Sequence, residues 1–299
     1  MNYQWYPGHM TKAKRMMQEN IGLIDLVIEL VDARIPLSSR NPDIDELGKN
    51  KSRLILLNKS DLADATTNRA WMDYFKSKGF HVLEVNARSG QGLKSIHGIV
   101  REACKEKIER DRKRGIKNRP IRAIVVGIPN VGKSTFINSF AGKACTRTGN
   151  KPGVTKGKQW IRMNKELELL DTPGILWPKF ESEEVGRNLA LIGSMNDEIL
   201  EMTELAADLI TYLLKHYREQ LADRYQMDSL DPMTTPLAVL THICENRKCY
   251  KKGQEADYEK ASSIVMEDFR SGRIGRITLE LPPLAESIQI KDGIEVVAE

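Results

Sequence analysis

The chain has 299 residues, 40% hydrophobic and 29% charged, a balance that suits a globular protein of two domains. No apolar run approaches the roughly 20 residues of a membrane-crossing helix, and "MNYQWYPGHMTKAKR" lacks a signal-peptide core, so a cytoplasmic protein with no membrane partner is expected. The net charge of +5 permits a polyanionic partner without requiring one.

In chain order, the first half alternates short apolar runs with helical patterns. "DLVIELVDA" (25–33), "RLILLNK" (53–59), "HVLEVNA" (81–87) and "RAIVVGI" (122–128) read as strands, being short, β-branched and bounded by polar turns. Residues 68–79 and 93–114 carry helix-period apolar spacing. Strand, helix, strand in succession predicts a mostly parallel sheet covered on both faces. "GKQWIRM" (157–163) and "ELELLDT" (166–172) add a hairpin about an Asn-Lys turn. Beyond residue 180 the pattern is helical: one long stretch over 196–225 and shorter ones over 236–247 and 257–272. The expected organisation is an α/β domain over 1–180, a linker over 181–195, an all-α domain over 196–282 and a loosely held tail over 283–299.

The four cysteines form no disulfide framework. His242, Cys244 and Cys249 lie close together, but zinc needs a fourth ligand. They read instead as a helix with two small buried thiols.

"GIPNVGKST" (127–135) satisfies G-x-x-x-x-G-K-[ST] with Gly127, Gly132, Lys133 and Ser134, between a strand and the helix "KSTFINSFAG". In such a loop successive backbone N–H groups, here through Asn130, Val131, Gly132 and on to Thr135, face phosphates at a helix N-terminus. Lys133 is expected to reach the β- and γ-phosphates, and the Ser134 hydroxyl to bind Mg²⁺. Downstream, "LLDTPG" delivers Asp171 for the same ion through water, and Gly174, whose N–H can meet a γ-phosphate. "KPGVT" offers Thr155 as a third Mg²⁺ ligand, although most threonines in basic loops bind no ion.

"NKSD" (Asn58, Lys59, Ser60, Asp61) ends the second strand. The Asp61 carboxylate can accept from a guanine's N1 and exocyclic amine, Asn58 can bond the carbonyl-bearing side, and Lys59 can lie along the base. One helix later "NAR" offers the Ala87 N–H to the guanine carbonyl, with Asn86 ending the strand and Arg88 beside the base. These base-reading residues precede the phosphate loop, the reverse of the ordinary order. All of the loops nevertheless leave one edge of a parallel sheet, where open α/β folds bind ligands. The fold class is therefore a P-loop GTPase-type, mostly parallel α/β sheet with circularly permuted motif order, followed by a small all-α C-terminal domain.

The order "WYPGHM", "DARIP", "NKSDL", "GIPNVGKST", "KPGVT", "DTPGIL" resembles the circularly permuted GTPases of the YlqF type, the bacterial ribosome biogenesis GTPase A group. The resemblance implies binding of GTP and GDP, with hydrolysis tied to late assembly of the large ribosomal subunit. It also implies that the helical domain binds rRNA, in the manner of the ANTAR type. Basic residues near the C-terminus suit that role: Arg247, Lys248, Lys251, Lys252, Arg270, Arg273 and Arg276, each of which otherwise reads as part of a solvated face. A monomer is expected off the ribosome.

Three features qualify the reaction. Ile175, Leu176 and Trp177 follow Gly174, where Ras-like enzymes place a Gln that orients water. His9, after Pro7-Gly8 and with an ordinary pKa of about 6.5, can supply that function, or can cap a helix or touch RNA. In several GTPase families with "PNVGKS" an asparagine at the position of Asn130 helps hold K⁺, whereas a plain turn residue also suits it. Two alternatives stand beside the assembly GTPase: a nucleotide-dependent RNA-binding switch with negligible catalysis, and a GTPase directed at tRNA or membranes. Residues 175–194 also join the "DTPG" loop directly to the helical domain, which predicts that a contact at Gly174 biases the orientation of that domain.

Overall fold

The computed structural model describes residues 15–116, 119–146, 159–172, 174, 176, 180, 182–227 and 230–283. His9, Thr155, the segments "WYPGHM" and "KPGVT", and nearly all of the predicted tail lie outside them.

Six strands, β1 (Leu26–Asp32), β2 (Ser52–Asn58), β3 (His81–Glu84), β4 (Ile121–Val126), β5 (Gln159–Arg162) and β6 (Leu167–Asp171), form one sheet in the order β3-β2-β1-β4-β6-β5. β1 to β4 and β6 run parallel, and β5 closes one edge antiparallel to β6. β1 is buried at every position, as a central strand with both faces covered must be. The covering helices are α1 (Asp43–Leu47), α2 (Ala65–Ser77), α3 (Ile96–Ala103), α4 (Lys105–Lys113) and α5 (Lys133–Ala141). α2 starts where the Asp64 carboxylate accepts from Thr67 N–H at 2.7 Å, and it packs Trp71 and Phe75 against Val31, Ile55 and Leu57.

The single helix predicted over 93–114 is a short 3₁₀ turn followed by α3 and α4, which part at Cys104. Cys104 is buried and burial pushes its thiol up to about 11. Beyond it "KEKIERDRK" fully buries no residue and packs only Ile108 partly against the core, a narrower apolar face than that of α3.

The segment expected as a linker contains α6 (Glu183–Leu191), capped by Ser182 and burying Leu189, Ala190 and Leu191. It is packed structure, not a tether. The long pattern over 196–225 divides into α7 (Met202–His216) and α8 (Arg218–Tyr225) at Tyr217, which leaves helical geometry at φ −139° and ψ 42°. Its hydroxyl donates to Thr278 O at 3.1 Å and accepts from Thr278 N at 3.0 Å. α9 (Pro236–Arg247) and α10 (Tyr258–Ser271) start at capping Thr235 and Asp257 and complete the helical domain. Cys244 and Cys249 are buried there, and His242 Nε2 lies 3.0 Å from Tyr225 O.

After α10 the chain returns to the sheet domain. Ile277 N–H donates to Leu62 O at 2.9 Å and Leu279 N–H to Arg34 O at 2.8 Å. Trp71 Nε1 donates to Glu280 O at 3.0 Å, and the Glu280 carboxylate accepts from Leu37 and Ser38 N–H and from Asn188. The sheet and the C-terminal helices are thereby joined by backbone hydrogen bonds as well as by α6, and share one hydrophobic core.

Candidate functional site

The chain runs from β1 outward through β2 and β3, then returns to β4 on the other side of β1. Such a reversal leaves a crevice at the carboxyl ends of the strands. β4 feeds the loop Gly127–Gly132 into α5. Gly132 sits at φ 99°, and a Cβ there would lie 2.5 Å from Asn58 Nδ2, so only glycine fits. α5 begins without a side-chain cap, leaving its first N–H groups to the loop. Lys133 Nζ donates to Gly127 O and Ile128 O, each at 3.0 Å. Gly174 lies against this loop: a Cβ on it would stand 2.8 Å from Pro129 Cα and 2.9 Å from Lys133 Nζ. The "DTPG" segment therefore meets the phosphate loop at the lysine, as a sensor of the same phosphates requires.

Asn58 unites the base side with the phosphate side. Its Nδ2 donates to Val131 O at 2.7 Å and its Oδ1 accepts from Ala87 N–H at 3.0 Å. The Ala87 N–H, expected to meet a guanine carbonyl, is engaged by Asn58 in this structure. Asn58 retains one amide hydrogen and acts first as a brace among three loops. Asp61 is exposed, with no hydrogen-bond partner among the described residues, so both carboxylate oxygens are available to a base edge. Ser60 N–H donates to Val85 O, and Asn86 Oδ1 accepts from Arg88 and Ser89 N–H, shaping the "NAR" turn. Arg88 itself is exposed.

Lys59 adopts φ 58° and its ammonium is held between Asp32 Oδ2 at 3.0 Å and Asn130 O at 2.9 Å. Only its stem remains for a base. Asp32 and Arg34, the charged pair of "DARIP", are given no role by the sequence reading, yet they anchor Lys59. Arg34 Nε and Nη2 grip both Asp32 oxygens at 2.9 and 2.8 Å, with side chains 1% and 0% exposed. Burial alone would raise the Asp32 carboxyl, but Arg34 and Lys59 outweigh it and hold it well below the usual carboxylate range. Burial lowers Lys59. The signal for this pair was a motif carrying opposite charges at the end of a buried strand.

Asp171 ends β6 with both carboxylate oxygens buried and, among the described residues, without a well-formed hydrogen bond, the Thr172 N–H being its one nearby donor. Burial pushes its carboxyl up to about 6, against the pull of Lys133, whose ammonium burial lowers to about 8. A buried carboxylate close to Lys133 at the start of α5, with the Ser134 hydroxyl next in sequence, is an oxygen donor set that suits Mg²⁺. Thr172 is fixed by its hydroxyl bond to Val125 O at 2.7 Å.

Asn130 has φ 57°, and its Nδ2 donates to Gly193 O at 2.7 Å. Among the described residues no donor meets its Oδ1, which leaves that oxygen open to a cation. On the helical domain, Arg247, Lys248, Lys251, Lys252 and Arg276 are exposed. Arg270 does not belong with them. Its guanidinium is spent on Ala190 O, Leu191 O and Asp197 within the protein. Arg273 is paired as well, to Glu267 and Asp268.

Residues 122–241 match the family described as 50S ribosome-binding GTPase. Ribosome biogenesis GTPase A from Bacillus cereus is 47% identical over 298 residues, covering 99% of this chain and 100% of that protein. Its counterpart from Thermotoga maritima is 31% identical, covering 93% and 94%. The crystal structure of GNP-bound YlqF from T. maritima superposes with a TM-score of 0.62 at 28% identity, covering 91% of this chain and 98% of that one. Permuted motif order, one sheet edge and full-length similarity converge: the chain belongs to the ribosome biogenesis GTPase A family.

Proposed function

We propose that this protein is a GTP-hydrolysing factor acting in late maturation of the large ribosomal subunit, in the cytoplasm and as a monomer off the subunit. One observation carries the nucleotide reading: Asn58 ties the base-reading loop carrying the unpaired Asp61 to the phosphate loop at Val131. Asp61 selects guanine, while Asn130 to Thr135 and Lys133 receive the phosphates. To do so the Lys133 ammonium exchanges the carbonyls of Gly127 and Ile128 for phosphate oxygens. Ser134, Asp171 and Thr155 would hold Mg²⁺, which neutralises charge developing on the β- and γ-oxygens. Asn130 would hold K⁺ through Oδ1, and His9 would orient the attacking water. The similarity of the chain to ribosome biogenesis GTPases supports the ribosomal partner. The exposed Arg247, Lys248, Lys251, Lys252 and Arg276, with Arg273 secondarily, support an rRNA contact made through backbone charge.

The reading is tested by co-sedimentation with large subunits, combined with multiple-turnover hydrolysis alone, with subunits and with tRNA. Retention should be greater with a non-hydrolysable GTP analogue than with GDP, and subunits alone should accelerate hydrolysis. Retention that ignores the nucleotide would overturn it. A second reading, a switch with negligible catalysis, draws on the positions after Gly174, where Leu176 is buried in the core and no Gln occurs. Nucleotide-dependent retention without any acceleration would favour that reading.

A further inference from the structure

The phosphate loop, the base-reading loop and the helical domain are connected by a closed circuit of polar contacts. From the phosphate loop, Asn130 Nδ2 donates to Gly193 O at 2.7 Å. Beside it the Ser194 hydroxyl, fully buried, donates to Pro129 O at 2.9 Å. Gly193 and Ser194 follow α6, and Arg270 of α10 fastens that turn. Its Nε donates to Leu191 O at 3.0 Å and its Nη2 to Ala190 O at 2.8 Å, while Asp197 takes both Nη groups. The circuit returns through Arg34, which donates to Arg270 O at 3.5 Å and lies 5.1 Å over the Phe269 ring. Arg34 holds Asp32, Asp32 holds Lys59, and Lys59 donates back to Asn130 O.

The chemistry of one link gives the circuit a direction. A backbone carbonyl only accepts, so the end of the Asn130 amide that meets Gly193 must be the –NH₂. The oxygen, the end able to ligate a cation, is thereby turned away from Gly193 and meets no donor among the described residues. Without the Gly193 carbonyl the amide can rotate freely, and half of its orientations present hydrogens where a cation would sit.

We propose that Gly193, Ser194 and Arg270, all outside the nucleotide motifs, are positioning residues for the phosphate loop. The helical domain sets the rotamer and the amide orientation of Asn130, and so controls a monovalent-cation site next to the nucleotide phosphates. The inference rests on the reading of Asn130 as a K⁺ ligand. It implies that whatever moves α10 alters cation affinity at the phosphate loop, without touching the nucleotide.

The test uses the full-length chain and a readout other than hydrolysis: formation of the complex of fluorescent GDP with aluminium fluoride, titrated with KCl against NaCl at constant ionic strength. The unaltered protein should form the complex in K⁺ and poorly in Na⁺, and Asn130→Ala should lose the distinction. Ser194→Ala should raise the half-saturating K⁺ concentration about fivefold, the scale of one lost hydrogen bond, and Arg270→Ala about tenfold or more. GDP affinity without fluoride reports whether each variant keeps its fold. Should Arg270→Ala lose GDP binding altogether, Ser194→Ala decides. If the unaltered protein forms the complex equally in both salts, the K⁺ reading itself falls. If it prefers K⁺ and Asn130→Ala abolishes the preference while Ser194→Ala leaves half-saturation unchanged, the positioning role alone is refuted.

Discussion

Asp171→Asn should make the nucleotide-free protein more stable while abolishing its function. The carboxylate at 171 is buried, has no well-formed hydrogen bond at either oxygen among the described residues, and is pushed up from 3.8 to about 6 despite the nearby Lys133 and the Thr172 N–H. A rise of about two pKa units means that the ionised form is disfavoured in the fold by about 3 kcal/mol. The amide imitates the neutral acid and escapes that cost. At pH 7.5 the variant should gain about 3 kcal/mol, raising Tm by roughly 5 °C for a chain of this size. The sign in pH follows from linkage. A raised carboxyl pKa leaves its stabilising effect intact below the unfolded value and loses it as pH rises through the folded value. The gap between variant and parent should therefore be absent below about pH 4 and open between there and about pH 6. Thermal unfolding of both proteins, free of nucleotide, at pH 4 and pH 7.5 checks this. Adding Mg²⁺ and GTP should then stabilise the parent and barely move the variant, because a metal ion gives the carboxylate the partner it lacks. A variant no more stable than its parent at pH 7.5, or an equal gap at pH 4, would refute the reasoning.

Asp61→Asn should exchange guanine preference for xanthine, because an acceptor pair becomes one acceptor and one donor; unchanged discrimination between GTP and XTP in competition binding would remove "NKSD" from the base. Arg34→Ala strands the buried Asp32 and should cost about 3–5 kcal/mol in urea unfolding, with faster GDP release as Lys59 loses its anchor. Stability within 1 kcal/mol of the parent would contradict the buried pairing. Reversing Lys248, Lys251 and Lys252 to Glu should weaken subunit binding and flatten its dependence on salt, and intact binding would mark these charges as merely solvated. His9→Ala should keep GTP and subunit binding but lose the stimulated rate by on the order of 10²-fold; normal turnover on the subunit would assign His9 a different role.

The nucleotide site was legible in the sequence because its parts are local. A glycine spacing, a strand ending in Asn-Lys-Ser-Asp, and Asp171 at the end of a strand each declare themselves within about ten residues, and the periodicity of a parallel sheet brings their strand ends to one edge. What the sequence could not show were couplings between distant residues whose side chains suit several partners. Arg270 reads as a surface charge until α10 packs beside α6 and gives it the carbonyls of Ala190 and Leu191. Tyr217 reads as a helical residue until Thr278 claims its hydroxyl. Asn130 reads as an ion ligand or a turn residue, and only the placement of Gly193 decides which end of its amide is free. Hydrogen-bonding capacity belongs to the residue type and can be read from the sequence, but a buried polar group takes whichever partner packing brings within 3 Å or so. That choice is made by the tertiary structure.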